Sequence, residues 1–172
     1  MQLGEDTITM SMTLNPVNEA AFQKAVQSLE TLNRAAVFHP TGTGKSCIAW
    51  KVVEAHPQTT FFWLVAGAQR LALRQAELTR YNGGILPGNV RFCDCEKLAA
   101  ATPEQWVRLG EQKPGCIVLD CYHELSAVCW AQSVQKLLRM CPQAKVLGLG
   151  VPNGAPVCAA AQELFADCIV SH

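Results

Sequence analysis

The chain has 172 residues, 49% of them apolar and 16% charged. That balance excludes a disordered chain and supplies enough apolar side chain for one domain with a sizeable core. Lys plus Arg and Asp plus Glu number 14 each, so no global field draws the chain to a polyanion; any such binding must come from a local site.

Residues 1–14 read as an N-terminal extension and 15–172 as a single domain. Met1 to Met12 carries Glu5 and Asp6 and lacks the basic-then-apolar pattern of a signal peptide. Phe22, Val26, Leu29 and Leu32 then recur at helical spacing, and Ala35–His39 reads as a strand. Past a glycine-rich stretch, Ile48, Val52 and Ala55 mark a second helix, followed by a strand at Phe61–Ala66. The next helix carries Arg70, Arg74 and Arg80, which read as a solvated face or as a local basic stripe. Asn82-Gly83-Gly84 and Pro87-Gly88-Asn89 predict an exposed loop before a strand at Val90–Cys93. Pro103 opens a helix with Thr102 as its N-cap. A strand at Cys116–Asp120 precedes a helix that puts Trp130, Val134, Leu137 and Leu138 on one face. Lys145–Leu149 and Cys168–Ser171 complete the strands.

The longest apolar run, around Phe61 to Ala68, is far too short to span a bilayer, so a cytoplasmic domain with no membrane partner is expected. Nine cysteines are many for this length, but none forms a C-x-x-C pair and no histidines stand at metal-finger spacing. Cys93 and Cys95 are the closest pair, while Cys116, Cys129 and Cys168 sit in apolar runs. Buried free thiols in a reducing cytosol are the expectation.

Nearly continuous apolar strands separated by helices predict an α/β fold, a three-layer α-β-α sandwich with a mainly parallel sheet. Ligands of such folds bind at the carboxyl ends of the strands. Three of those ends carry polar or glycine-rich residues here: after His39, at Asp120, and after Leu149. The first is His39-Pro40-Thr41-Gly42-Thr43-Gly44-Lys45-Ser46. Gly42 and Gly44 let the backbone wrap so that N–H groups converge on phosphate oxygens, and the following helix adds its positive end. Lys45 can reach the β- and γ-phosphates, and the Ser46 hydroxyl can ligate Mg²⁺. Thr41, Gly42, Thr43, Gly44, Lys45 and Ser46 are therefore the candidate nucleotide-binding residues, although the strict pattern has Gly where His39 stands. Asp120, at a strand end beside this loop, can hold Mg²⁺ through its water shell.

The loop is similar to motif I of superfamily II (DEAD/DEAH-type) helicases, Pro-Thr-Gly-x-Gly-Lys-Ser/Thr. Cys116-Ile-Val-Leu-Asp120-Cys121-Tyr122-His123 resembles motif II, the Asp-Glu-x-His box, and Val146-Leu-Gly-Leu-Gly150-Val151-Pro152 stands in the place of motif III. Trp130 and Leu137-Leu138 fit the segment that joins those two motifs in bacterial members. The resemblance covers roughly 15–172 and implies a RecA-like P-loop NTPase domain that binds ATP and Mg²⁺. It also assigns catalytic positions to Asp120, Cys121 and His123, the last coupling nucleotide state to motif III.

Departures from the family matter as much. Cys121 replaces the Glu that activates water; a thiol, with a reference pKa of roughly 8.5, is a poor base. Ala66-Gly67-Ala68 replaces a Pro-Ser/Thr nucleic-acid motif, and Cys93-Asp94-Cys95 replaces the next, placing an acid where a phosphate path is expected. Asn18, Glu19 and Gln23 fall where the adenine-reading glutamine belongs, and none fits it. The family places ATP and nucleic acid between two RecA-like domains, the second supplying arginine fingers. A chain ending at Ser171-His172 is thus expected to be an excised or short degenerate domain, unable to unwind DNA or RNA alone. A second RecA-like domain in another chain is the partner this implies, and a non-catalytic interaction or regulatory module is the alternative reading.

Overall fold

The computed structural model describes residues 12–152 and 159–171; of the N-terminal extension only 12–14 fall among them. In chain order the elements are α1 (Pro16–Leu32), β1 (Arg34–Phe38), α2 (Lys45–Ala55), β2 (Phe61–Val65), α3 (Ala68–Tyr81) and β3 (Val90–Asp94). Then come α4 (Cys95–Ala99), α5 (Pro103–Glu111), β4 (Cys116–Asp120) and a 3₁₀ turn at Tyr122–Glu124. A helical stretch follows as α6 (Ala127–Cys129), a π turn (Trp130–Val134) and α7 (Gln135–Met140). β5 (Lys145–Gly150), α8 (Ala159–Phe165) and β6 (Ile169–Ser171) close the order.

The strands form one six-stranded sheet in the order β3-β2-β4-β5-β1-β6, and every pairing is parallel. Period-2 alternation divides its side chains between two cores. Ala35, Val37, Phe61, Trp63, Val65 and Val118 face one, with α1 and α2. Ala36, Phe62, Leu64, Ile117 and Leu119 face the other, with Trp106, Trp130, Leu137 and Phe165. This is the three-layer α-β-α sandwich that the apolar strands predict, and the RecA-like fold that the motif resemblance implies. Phe61, Phe62 and Trp63 are at most 1% exposed, and burying a side chain of that size contributes roughly 1.5–3 kcal/mol.

The helices follow the sequence less closely. α1 buries Asn18, Ala21, Ala25 and Leu29, while Phe22 and Val26 are only partly buried and Leu32 is 46% exposed. The stripe of small residues lets α1 approach the sheet, rotating the large apolar side chains towards its flank. In α2 the buried face includes Ile48 and Val52 as expected, but Ala55 is exposed. α5 has the predicted Thr102 cap and Pro103 start, completed by a capping box with Gln105.

The order places β5 between β1 and β4, so the loop after β1 and the end of β4 flank one strand. Phe38 pairs with Gly150 and Asp120 with Leu149, which puts all three predicted ligand-bearing ends at one edge. Glycine in β5 has a packing cause. A Cβ at Gly148 would lie 2.7 Å from the Phe165 ring, and one at Gly150 would lie 3.0 Å from the Phe38 and Tyr122 rings. The aromatic cluster of Phe38, Tyr122 and Phe165, with centroids 5.7 and 4.9 Å apart, therefore occupies room that other residues at those strand positions would take.

Candidate phosphate-binding site

The loop between β1 and α2 turns at Gly42 and Gly44, whose φ angles of 81° and 88° are left-handed and suited to glycine. Gly44 is the N-cap of α2, which has no side-chain cap bond. Gly44, Lys45 and Ser46 at the start of this eleven-residue helix line the cleft, and no side chain caps them, the arrangement that attracts an anion. Lys45 Nζ donates to the carbonyls of His39 and Pro40, both at 2.9 Å, and so lies back over the start of the loop. Its pKa is lowered by burial, partly offset by the charges of Cys121 and Asp120. Thr43 Oγ1 donates to the Pro40 carbonyl at 2.7 Å, which closes the turn internally.

Asn18 braces the loop from outside. Its Nδ2 donates to the Thr43 carbonyl at 2.9 Å, and a Cβ at Gly44 would stand 3.0 Å from that nitrogen. The side chain is 5% exposed and continues the buried Ala21–Ala25–Leu29 stripe one turn earlier. A polar residue on an apolar stripe was the available signal for this role. Glu19 and Gln23 instead bond each other on the exposed side of α1.

Across the cleft, Asp120 ends β4 and is 3% exposed. Trp63 Nε1 donates to its Oδ2 at 3.0 Å, and Arg74 grips it as a fork, Nε to Oδ2 and Nη2 to Oδ1, the latter at 3.3 Å. Arg74 Nη1 also donates to Glu77 one turn along α3. Burial alone would lower the Arg74 pKa, but the charge and hydrogen bonds of Asp120, then Glu77, outweigh it and the net shift is upward. Arg70 pairs with Glu124. Arg70, its side chain 46% exposed, and Arg74, 18% exposed, line the cleft, while Arg80 is exposed to solvent 5.3 Å from the Tyr81 ring.

Cys121 follows with φ 53° and ψ 45°, a left-handed conformation that costs a non-glycine residue about 1–2 kcal/mol. Burial, then the charge of Asp120 and a hydrogen bond to it, raises its thiol to about 11. At neutral pH it is a protonated thiol and cannot accept a proton from water. His123 is 8% exposed, lies 3.5 Å from Glu124 Oε1, and has its pKa lowered mainly by burial, against the raising effect of Glu124.

One cleft of about 480 Å³ collects Thr41, Gly42, Gly44, Lys45, Ser46, Asp120, Cys121 and His123; Tyr81 also lines it. Of the predicted site residues, Thr43 alone is absent from that lining, since its polar atoms serve the loop itself. Ser46, second in α2 and 9% exposed, fits the role of a hydroxyl donor to a cation. Asp120, expected to hold Mg²⁺ through its water shell, also lines the cleft, but its carboxylate is largely buried and already paired with the Arg74 guanidinium. Asp94, the acid standing where a phosphate path was expected, is 6% exposed and caps α4, accepting from Glu96 N at 3.0 Å and Gly67 N at 3.2 Å. Among the described residues no group of three or more His, Cys, Asp or Glu side chains is placed to hold a metal ion. No described helix is long and apolar enough to cross a membrane.

No family model matches the sequence, and no curated protein matches it. Among solved structures, the fold is similar to part of an ATP-dependent Type ISP restriction-modification enzyme, LlaBIII, bound to DNA. That likeness has a TM-score of 0.58 and 15% identity, and it covers 81% of this chain and 13% of that one. At such identity it shows a shared fold alone, and the chain spans about 13% of that enzyme's length.

Proposed function

We propose that the cleft binds the triphosphate of ATP, and that the chain is the nucleotide-binding domain of a helicase-type enzyme with very slow turnover or none. The observation that carries this is the uncapped N-terminus of α2 behind a glycine loop that presents Lys45. The loop N–H groups and Lys45 would take the phosphates, with Lys45 exchanging two carbonyls for phosphate oxygens. Hydrolysis is impaired in this reading because Cys121 stands where a water-activating base is needed. Losing general-base assistance costs about 10²–10⁴-fold.

A DNA or RNA partner belongs to the proposal as well. It is supported by the fold shared with an enzyme solved on DNA, and weakened by the missing hydroxyls at Ala66-Gly67-Ala68. Unwinding would require a second RecA-like domain to complete the far side of the cleft. The alternative is a non-catalytic interaction module. The Arg74–Asp120 pair favours it, because the pair engages a carboxylate that an active site would keep for the reaction.

Calorimetric titration of ATP into the parent and Lys45→Ala tests the reading. Binding by the parent, weakened by about tenfold or more in the variant, is expected, since a charge-assisted phosphate contact is worth about 1.5–3 kcal/mol. Absence of binding by both proteins would leave the interaction-module reading. Steady-state ATP hydrolysis that Lys45→Ala abolishes would overturn the claim of impaired turnover.

A further inference from the structure

Asp120 stands where a nucleotide's divalent cation belongs, yet a positive charge is already there. Arg74 meets both carboxylate oxygens, and three observations make this a built arrangement rather than one rotamer among many. Glu77, on the same helix, holds another edge of the guanidinium; the Trp63 indole fixes the carboxylate from β2; and Asp120 itself is 3% exposed. Three of the five guanidinium N–H donors are so engaged, which leaves two for another acceptor. The Arg74 side chain is 18% exposed and lines the same cleft as Gly44, Lys45 and Ser46.

We infer that Arg74 is a tethered cation that takes the place of magnesium beside Asp120, so that the cleft accepts metal-free ATP about as well as its magnesium complex. This rests on the nucleotide-binding reading above. A hydrated Mg²⁺ is bound through one or two carboxylates together with substrate phosphates. Here the carboxylate makes no such contribution, while the remaining guanidinium donors can meet phosphate oxygens directly. Magnesium then travels on the nucleotide without adding a protein anchor.

The test is ATP binding to the full chain by calorimetry, once in excess magnesium chloride and once in EDTA. Affinities within about fivefold of each other are expected, and a larger loss in EDTA overturns the inference while leaving the nucleotide site intact. Failure of the parent to bind ATP in either buffer would instead overturn the nucleotide reading itself, and this inference with it. Arg74→Gln removes the charge and keeps polar bulk; it should bind ATP about tenfold more tightly with magnesium than with EDTA. Arg74→Lys restores a positive charge and should return the ratio to below about fivefold. A lysine variant as magnesium-dependent as the glutamine one would show that charge replacement is not the cause. Circular dichroism melts report whether each variant folds, and the parent's own two-buffer comparison decides the question should Arg74→Gln fail to do so.

Discussion

Asn18 and Thr43 are 25 residues apart in the chain and meet through one hydrogen bond, so the shape of the glycine loop after β1 depends on a residue outside it. The neighbouring Gly44 has no room for a side chain against that same nitrogen. Replacing Asn18 by alanine removes the donor and leaves the Thr43 carbonyl to find another. A typical net hydrogen bond contributes about 0.5–1.5 kcal/mol, so Asn18→Ala should lower ATP affinity by about three- to tenfold. Calorimetric titration under the conditions used for Lys45→Ala checks this. Unchanged affinity would mean that Gly42, Gly44 and the Thr43–Pro40 bond hold the loop by themselves.

At the scale of elements, β5 is held to α8 by a glycine. The Phe165 ring lies over Gly148 so closely that a methyl group there would come within 2.7 Å of it. Phe165 is 1% exposed and has little space to retreat. Gly148→Ala should therefore destabilise the domain by about 1–3 kcal/mol, the usual cost of overpacking, read as a lower urea midpoint with an unchanged slope. A midpoint equal to the parent's would show that α8 shifts freely on the sheet. The strands were legible in the sequence because both sheet faces are buried, which makes Phe61 to Val65 and Cys116 to Leu119 continuous apolar runs. The turn between β1 and α2 was legible because its glycine chemistry is local. The surroundings of Asp120 were not: Arg74 lies 46 residues away and Trp63 57, and only the strand order brings them together. The helix of α1 was legible in its spacing, but which of its residues pack deepest was not. Large apolar residues signal a helix, but close approach to the sheet selects the alanine stripe.

Buried thiols couple the whole molecule to pH. The eight described cysteines are free thiols, and several lie deep in the two cores. Burial pushes Cys93 and Cys116 from the ordinary 9.0 up to about 12, and Cys95 rises further, with contributions from Cys129 after burial. In the unfolded chain these thiols ionise near their ordinary value while in the fold they stay protonated. Above that value the unfolded state binds fewer protons, so stability falls as pH rises. The contribution is fully present below about pH 9 and is lost between there and about pH 12. Each fully buried thiol contributes a slope of about 1.4 kcal/mol per pH unit in that window. The buried Tyr122 phenol, also raised by burial, acts in the same direction at higher pH, whereas Lys45, whose pKa is lowered, opposes it with a single, partly exposed group. The opposing lysine is outnumbered. Thermal melts under reducing conditions should hold a level midpoint from pH 7 to 8.5 and then fall steeply towards pH 11. Cys116→Val removes one titrating thiol from the core at nearly constant volume, and its midpoint should fall less steeply than the parent's over the same range. A parent midpoint that stays level to pH 10.5 would mean that the core thiols ionise in the folded state as readily as in the unfolded chain, through openings of the sheet that this packing does not permit.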